Sequence, residues 1–301
     1  MAQPKGFIDP HFPNHVLYLK KAFYGLKQAP RTWYDWLTQY LVSYGFTRRK
    51  ADQTLFIKRE EGELIVAQVY VNDIIFGSTK DELAHSFAKL MQVEFEMSMI
   101  AELTHSLGLQ IHQQESSIFL SRSKYAKTLV KKFGLESTSS VGTPMSPNVK
   151  LTIDLLGKSV DSSLYRSMIG SLLNLTTSRL DISYSVGVCA RYQANPKESH
   201  MIALKRIIKY VKTIADFGVW YNKDTNDVLA RYSDANWAGN ADDRKSTSRG
   251  CFYVGNNLVP WMSKKQNSIS LSIAEAEYIA AGSCCTQLLW IQKRLLDYSI
   301  H

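Results

Sequence analysis

The chain has 301 residues, 45% hydrophobic and 21% charged, and its 36 Lys plus Arg against 27 Asp plus Glu give a formal net charge of +9. That hydrophobic share excludes global disorder, and the length suits two domains of ~100–200 residues. The positive surplus points to a polyanionic partner, nucleic acid before an anionic membrane, or to a solvated basic surface.

The opening residues lack the apolar core of a signal peptide, and no apolar run reaches the ~18 residues of a membrane span. Neither a leader nor a membrane contact is expected, and the expected location is intracellular, cytoplasmic first and nuclear second. Cys189, Cys251, Cys284 and Cys285 show no C-x-x-C spacing. They read as thiols of a reducing compartment.

In chain order, residues 29–45 read as a helix: Pro30 suits its first turn, Trp33, Leu37, Tyr40, Leu41 and Tyr44 recur at helical spacing, and Gly45 ends it. Two β-rich runs, 54–58 and 64–71, form a hairpin pattern around Glu60, Glu61 and Gly62. A tight turn at Asn72 and Asp73 precedes a short strand, 74–76. Thr79 to Glu82 has capping-box form, with Leu83, Phe87, Leu90 and Met91 continuing a helix. Residues 106–120 read as a second hairpin, and 122–133 as a basic amphipathic helix closed by Gly134.

The stretch 137–163 is rich in Ser, Gly, Pro and Thr and reads as a linker or extended crossing. Helices are predicted over 163–177, 181–193 and 196–213, the last capped by Asn195 and opened by Pro196. Strands follow at 217–222, 228–234, 250–255, 258–263 and 268–271. A second capping box, Ser272 to Glu275, opens a long helix to about Tyr298. This order predicts an α+β fold.

The chemistry-bearing string is Gln68-Val69-Tyr70-Val71-Asn72-Asp73-Ile74-Ile75-Phe76-Gly77. Two apolar strands flank a polar tip, where a polymerase would hold carboxylates for two divalent metals. An Asn-Asp pair also suits an ordinary β-turn. Lys124, Lys127 and Lys131 share one helix face, and Lys205, Lys209 and Lys212 another. Arg244, Lys245, Lys264 and Lys265 form a third cluster. These could track a nucleic-acid backbone without reading bases, or be solvated faces.

The neighbouring strings narrow the choice. Residues 17–37 (LYLKKAFYGLKQAPRTWYDWL), 95–103 (FEMSMIAEL), 107–113 (LGLQIHQ), 141–145 (VGTPM), 167–182 (SMIGSLLNLTTSRLDI), 195–200 (NPKESH), 232–239 (YSDANWAG), 243–250 (DRKSTSRG), 263–268 (SKKQNS) and 271–280 (LSIAEAEYIA) stand in one order along the chain. Together they resemble the reverse transcriptase and ribonuclease H region of copia-type LTR retrotransposon Pol polyproteins.

The resemblance implies a partial palm and thumb over 1–136, a linker and helical connection over 137–225, and the start of a ribonuclease H-like α/β unit over 226–301. It places Tyr70 to Asp73 at the family's Tyr-Val-Asp-Asp box, with Asn72 at the degenerate first position and Asp73 at the second. Gln28, Ala29 and Pro30 fall at the helix opening beside nucleotide and template. Asp234 and Glu277 match the first two ribonuclease H carboxylates, Glu275 serving the capping box instead.

The implied cofactor is Mg2+ at Asp73 and at Asp234 with Glu277. The implied partners are RNA, DNA or an RNA–DNA hybrid, and possibly a full-length Pol of a related element. The family's earlier polymerase Asp would lie upstream of Met1, and its later nuclease carboxylates beyond His301. The expectation is therefore a stretch truncated at both ends, with Asn72 neutral where the family has charge, and inactive alone. The first reading is a decayed fragment with neither polymerase nor nuclease activity; the alternatives are a non-enzymatic nucleic-acid binder and a subunit complemented in trans. The edge strand 228–234 is further expected to lack a parallel neighbour.

Overall fold

The structure is a computed structural model that describes residues 2–19, 25–100, 102–146 and 150–298. Residues 20–24 of the first family string, Ala101 of the second, and Met1 and His301 lie outside the described residues. The chain divides into two compact units. The first gathers the residues up to Met99 with the end of the C-terminal helix from Arg294, and the second begins at Ile100.

The first unit is a four-stranded antiparallel sheet under two helices. Helix α1 (Ala29–Ser43) leads to β1 (Thr47–Arg48), β2 (Leu55–Glu60), β3 (Glu63–Tyr70) and β4 (Asp73–Ser78), in that order across the sheet, then to helix α2 (Asp81–Glu94). Period-2 alternation turns Ile65, Ala67 and Val69 of β3 to one face, where Leu37 and Leu41 of α1 and Phe87 and Met91 of α2 bury them. The β2–β3 turn, Glu61 and Gly62, has both residues at positive φ, 51° and 85°, the combination a type I′ hairpin requires.

In the second unit, β5 (His105–Ser106), β6 (Leu109–Gln113) and β7 (Ser117–Ser121) form an antiparallel sheet completed by a later strand, β8 (Gly218–Asn222). Between β7 and β8 run α3 (Ser123–Lys132), α4 (Ser162–Leu175), α5 (Leu180–Ala190) and α6 (Glu198–Thr213). Their apolar faces share one core that includes Leu129, Tyr165, Leu172, Ile182, Val186, Leu204 and Ile208. Strands β9 (Leu229–Asn236), β10 (Thr247–Val254) and β11 (Asn257–Lys265) make a three-stranded antiparallel sheet with β9 at its edge, followed by α7 (Ile273–Asp297).

Four local expectations need correction. Residues 268–271 form no strand: Trp237 Nε1 donates to the Ser270 carbonyl at 3.1 Å, and the Ser270 hydroxyl donates to Gln266 Oε1 at 3.0 Å, so side chains take the place of a ladder. Thr79 does not cap α2. Its hydroxyl accepts from Leu64 N at 3.0 Å and donates to Glu63, which ties β3 to the strand end. Asn195 does not cap α6 either. Lys197 is the cap residue, and its N–H donates to His200 Nδ1 at 2.9 Å.

The described residues of 137–161 are irregular but not a free linker. Lys212 Nζ donates to the Thr138 carbonyl at 2.7 Å, Arg206 Nη2 to Thr143 Oγ1 at 2.8 Å, and Tyr192 OH to the Leu151 carbonyl at 2.8 Å. Half of the second capping box forms: Glu275 N–H donates to Ser272 Oγ at 3.1 Å, while Glu275 Oε2 accepts from the N–H of Leu271, one residue before the cap, at 2.6 Å. All four cysteines are free thiols. Among the described residues, no helix is long and apolar enough to cross a membrane.

Candidate functional site

The β3–β4 hairpin closes through a two-residue turn, with Tyr70 paired to Asp73, Val69 to Ile74 and Gln68 to Ile75. Val69 and Ile74 point toward α1 and α2, so alternation sends Tyr70 and Asp73 to the opposite face. Tyr70, Val71, Asn72 and Asp73 are all exposed. Val71 has a φ of 53°. A β-branched residue rarely adopts that region, at a cost of ~1–3 kcal/mol, so the flanking ladder must hold it there.

Below the tip, Gln68 anchors β3. Its Nε2 donates to Thr54 Oγ1 at 2.6 Å and to Asp52 Oδ2 at 3.2 Å. Burial alone would raise the Asp52 carboxyl, but hydrogen bonds from Thr54 and Arg294 outweigh it and hold the group below the usual carboxylate range. The tip thus closes a continuous antiparallel ladder.

The tip does not fit the metal pair of the family. Asn72 offers one neutral carbonyl oxygen, and Asp73 is the only carboxylate of the four tip residues. Among the described residues, no group of three or more His, Cys, Asp or Glu is placed to hold a metal ion. Hard divalent cations need several oxygen ligands with charge among them.

At the other predicted contact, Gln28 is the N-cap of α1 and makes no side-chain cap, Pro30 sits in the first turn, and no acidic residue occupies that turn. The Gln28 carbonyl accepts from Thr32 N and from Thr32 Oγ1, both at 3.1 Å. Gln28 and Pro30 are exposed and Ala29 is half-buried. The first N–H groups of the helix therefore lack an internal anion.

In the second unit, Asp234 lies on β9 and Glu277 on α7, and the fold brings them close. Glu277 Oε1 accepts from the N–H of Ala235, the residue after Asp234, at 3.1 Å. Asp234 itself ion-pairs with Arg249, its direct cross-strand partner on β10, at 2.6 Å. The Arg249 guanidinium also lies over the Tyr184 ring, 5.1 Å from its centroid. Sequence reasoning missed Arg249, because the ten-residue connection from 237 to 246 hides the register that sets it opposite Asp234.

The lysine faces are partly engaged. Lys124, Lys127 and Lys131 are all exposed on α3, yet Lys127 Nζ pairs with Asp216 at 2.8 Å. That hydrogen bond draws the Asp216 carboxyl below its usual range. On α6, Lys205 is exposed and Lys209 half-buried, while Lys212 is committed to the Thr138 carbonyl. In the third cluster, Lys265 is bonded to Asp243. Lys124, Lys131, Lys205, Arg244 and Lys264 are the exposed members of the three clusters without an ion pair.

Residues 1–147 match the family model described as Reverse transcriptase (RNA-dependent DNA polymerase). The whole chain is similar to the Retrovirus-related Pol polyprotein from transposon RE1 of Arabidopsis thaliana, 36% identical over 300 residues, 20% of that protein. It is likewise similar to the Pol polyprotein from transposon TNT 1-94 of Nicotiana tabacum, 31% identical over 313 residues, 23% of that protein. An uncharacterized mitochondrial protein of Arabidopsis thaliana is 30% identical over 222 residues, which covers 74% of this chain and 92% of the relative. The chain thus spans only 20% and 23% of the length of the two polyproteins.

No solved structure matches the chain. Reverse transcriptases act on nucleic acid and generally use a divalent metal. The family model and the matches along the full chain agree: the protein belongs to the reverse-transcriptase region of copia-type retrotransposon Pol polyproteins.

Proposed function

We propose that this chain is the palm-to-ribonuclease-H stretch of an RNA-directed DNA polymerase that holds nucleic acid but does not itself extend a primer. The observation that carries this reading is the β3–β4 tip, which presents Asn72 and Asp73 on an exposed, laddered hairpin with one carboxylate where the family has two. Losing one charged ligand removes stabilisation worth several kcal/mol from a phosphoryl-transfer transition state, and each ~1.4 kcal/mol is tenfold in rate. In the same reading, residues 1–136 are palm and thumb, 137–225 the connection, and 226–301 a ribonuclease H-like part with Asp234 and Glu277 as its paired carboxylates. Mg2+ is the metal of the intact site. Gln28, Ala29 and Pro30 lie beside the template and incoming nucleotide, with Tyr70 at the tip. Lys124, Lys131 and Lys205, with Lys209, follow the backbone.

Restoring the carboxylate tests the reading at the metal. Mn2+ titration of Asn72→Asp, followed by paramagnetic broadening of β3–β4 amide signals, should saturate at roughly tenfold lower Mn2+ than the wild-type chain. Equal midpoints would remove Asn72 as the lesion.

A retained binding role is favoured by the +9 net charge and the exposed Lys124, Lys131 and Lys205. Phosphate contacts of that kind give salt-sensitive, sequence-independent binding.

A further inference from the structure

We propose that the last turn of α7 is an internal block on the first unit: it docks at the base of the β3–β4 hairpin, on the face that carries Tyr70 and Asp73, and competes there with a primer–template. The inference rests on the nucleic-acid-binding reading above and supplies a second reason for inactivity, separate from Asn72.

Cross-strand pairs fix the two faces of the sheet. Phe56 pairs with Ala67, and both join the core under α1 and α2. Leu55 pairs with Gln68 and Ile57 with Val66, which puts these four on the other face, in line with Tyr70 and its partner Asp73. Leu55 and Ile57 are nonetheless buried, 0% and 2% exposed, and neither belongs to the core under α1 and α2. The second face is therefore covered at β2.

The residues from Arg294 on belong to the first unit and are bonded at the border of this face. Asp297 Oδ2 accepts from the N–H groups of Ala51 and Asp52, at 3.0 and 3.1 Å. Arg294, one turn earlier, ion-pairs with the Asp52 carboxylate, and both side chains are mostly buried. Asp52 Oδ2 also accepts from Gln68 Nε2 at 3.2 Å. One carboxylate oxygen thus joins the helix end to the strand that bears the tip. Burial raises the Tyr298 phenol, Arg294 opposes the rise, and Asp52 and Asp297 add to it, which seats that ring in the same cluster.

Size makes the two occupants exclusive. Gln68 lies two residues from Tyr70, roughly 7 Å along β3. A helix with its side chains is ~10–12 Å across, and the major groove of a duplex is itself ~12 Å wide. A duplex end set against Asp73 and lying along this face meets the α7 turn within one groove width. The turn is held by hydrogen bonds and an ion pair at the edge of the sheet, and contacts of that kind open locally without unfolding the core.

The test is fluorescence anisotropy of a labelled DNA primer annealed to an RNA template, titrated with the full chain. Arg294→Gln removes a positive charge, so charge alone would weaken binding. Release of the block should instead tighten it about 3- to 10-fold, as the competent fraction of the chain rises. Asp297→Ala, which removes the acceptor for the Ala51 and Asp52 N–H groups, should tighten binding by a similar factor, and decides the matter if Arg294→Gln fails to fold. Arg294→Lys keeps the charge and should stay near wild type. Without nucleic acid, the Ala51 and Asp52 amides should exchange with solvent faster in Arg294→Gln and Asp297→Ala than in wild type.

Faster exchange with unchanged or weaker primer–template binding would overturn the block while leaving nucleic-acid binding by the chain intact. Exchange no faster than in wild type would show a turn that does not lift, and would overturn it equally. Binding by neither the wild-type chain nor the variants would overturn both this inference and the reading beneath it.

Discussion

At the scale of single residues, charge pairing decides what the candidate sites can do. Asp234 is neutralised by Arg249 rather than left open for a cation, and both side chains are about half exposed, 57% and 44%. An exposed pair adds little to stability, ~0–1 kcal/mol. It does set a positive charge beside any divalent ion, worth about 1–2 kcal/mol before salt screening. Arg249→Ala should therefore leave the melting temperature nearly unchanged and tighten Mn2+ binding at Asp234 roughly tenfold, read by broadening of the Ala235 and Arg231 amides. Unchanged broadening would show that Arg249 does not compete with metal.

Two buried groups carry further predictions. Burial pushes the Cys189 thiol up to about 12, only partly opposed by its hydrogen bond with Tyr165. Cys189 is buried and Cys285 exposed. At pH 8, iodoacetamide should label Cys285 within minutes and Cys189 only on unfolding, as mass spectrometry of tryptic peptides would report. Burial first, and the neighbouring Asp242 carboxylate second, push the Tyr192 phenol up to about 12. A raised folded-state value means stability that is fully present below the unfolded value of about 10 and is lost as pH climbs toward 12. Tyr192→Phe should flatten the decline in melting temperature over that window.

At the scale of elements, most of the helices and both main hairpins were legible because their signals are local. Gly45 does end α1: the Gly45 N–H bonds to the Val42 carbonyl and Phe46 N–H to the Leu41 carbonyl. Ser272 and Glu275 do open α7. Thr79 and Asn195 carried equally good local signals and were overruled from a distance, by Glu63 across the sheet and by His200 one turn on. The two-residue edge strands β1 and β5 are too short for a period to declare itself. That β8 pairs with β7 across nearly a hundred residues has no local signature at all.

That long-range pair rests on a glycine. A Cβ on Gly218 would lie 2.2 Å from the Leu120 carbonyl oxygen and 2.7 Å from the Phe119 ring. Gly218→Ala should destabilise the second unit by about 1–3 kcal/mol in urea melts, since the nearer atom is backbone and cannot step aside. A change within a few tenths would mean that β8 docks more loosely than its register indicates.

At the scale of the whole molecule, the family was legible as an ordered series of short strings, while the state of its sites was not. Asn72 was visible as a departure, and the structure adds that it stands on a strained, laddered tip with a single carboxylate. The pairing of Asp234 with Arg249 depends on register, which no spacing in the sequence discloses. The positive surplus reads differently once partners are assigned: Lys127, Lys212 and Lys265 serve the fold, and among the clustered cations Lys124, Lys131, Lys205, Arg244 and Lys264 stay exposed without an ion pair.

The most direct measurement is RNA-templated primer extension by the purified 301-residue chain and by its Asn72→Asp variant, with Mg2+ and then Mn2+, at protein concentrations where the primer–template is bound. The account predicts bound primer and no extension by the wild-type chain, with any extension confined to the variant. Extension by the wild-type chain at the rate of the variant would contradict it.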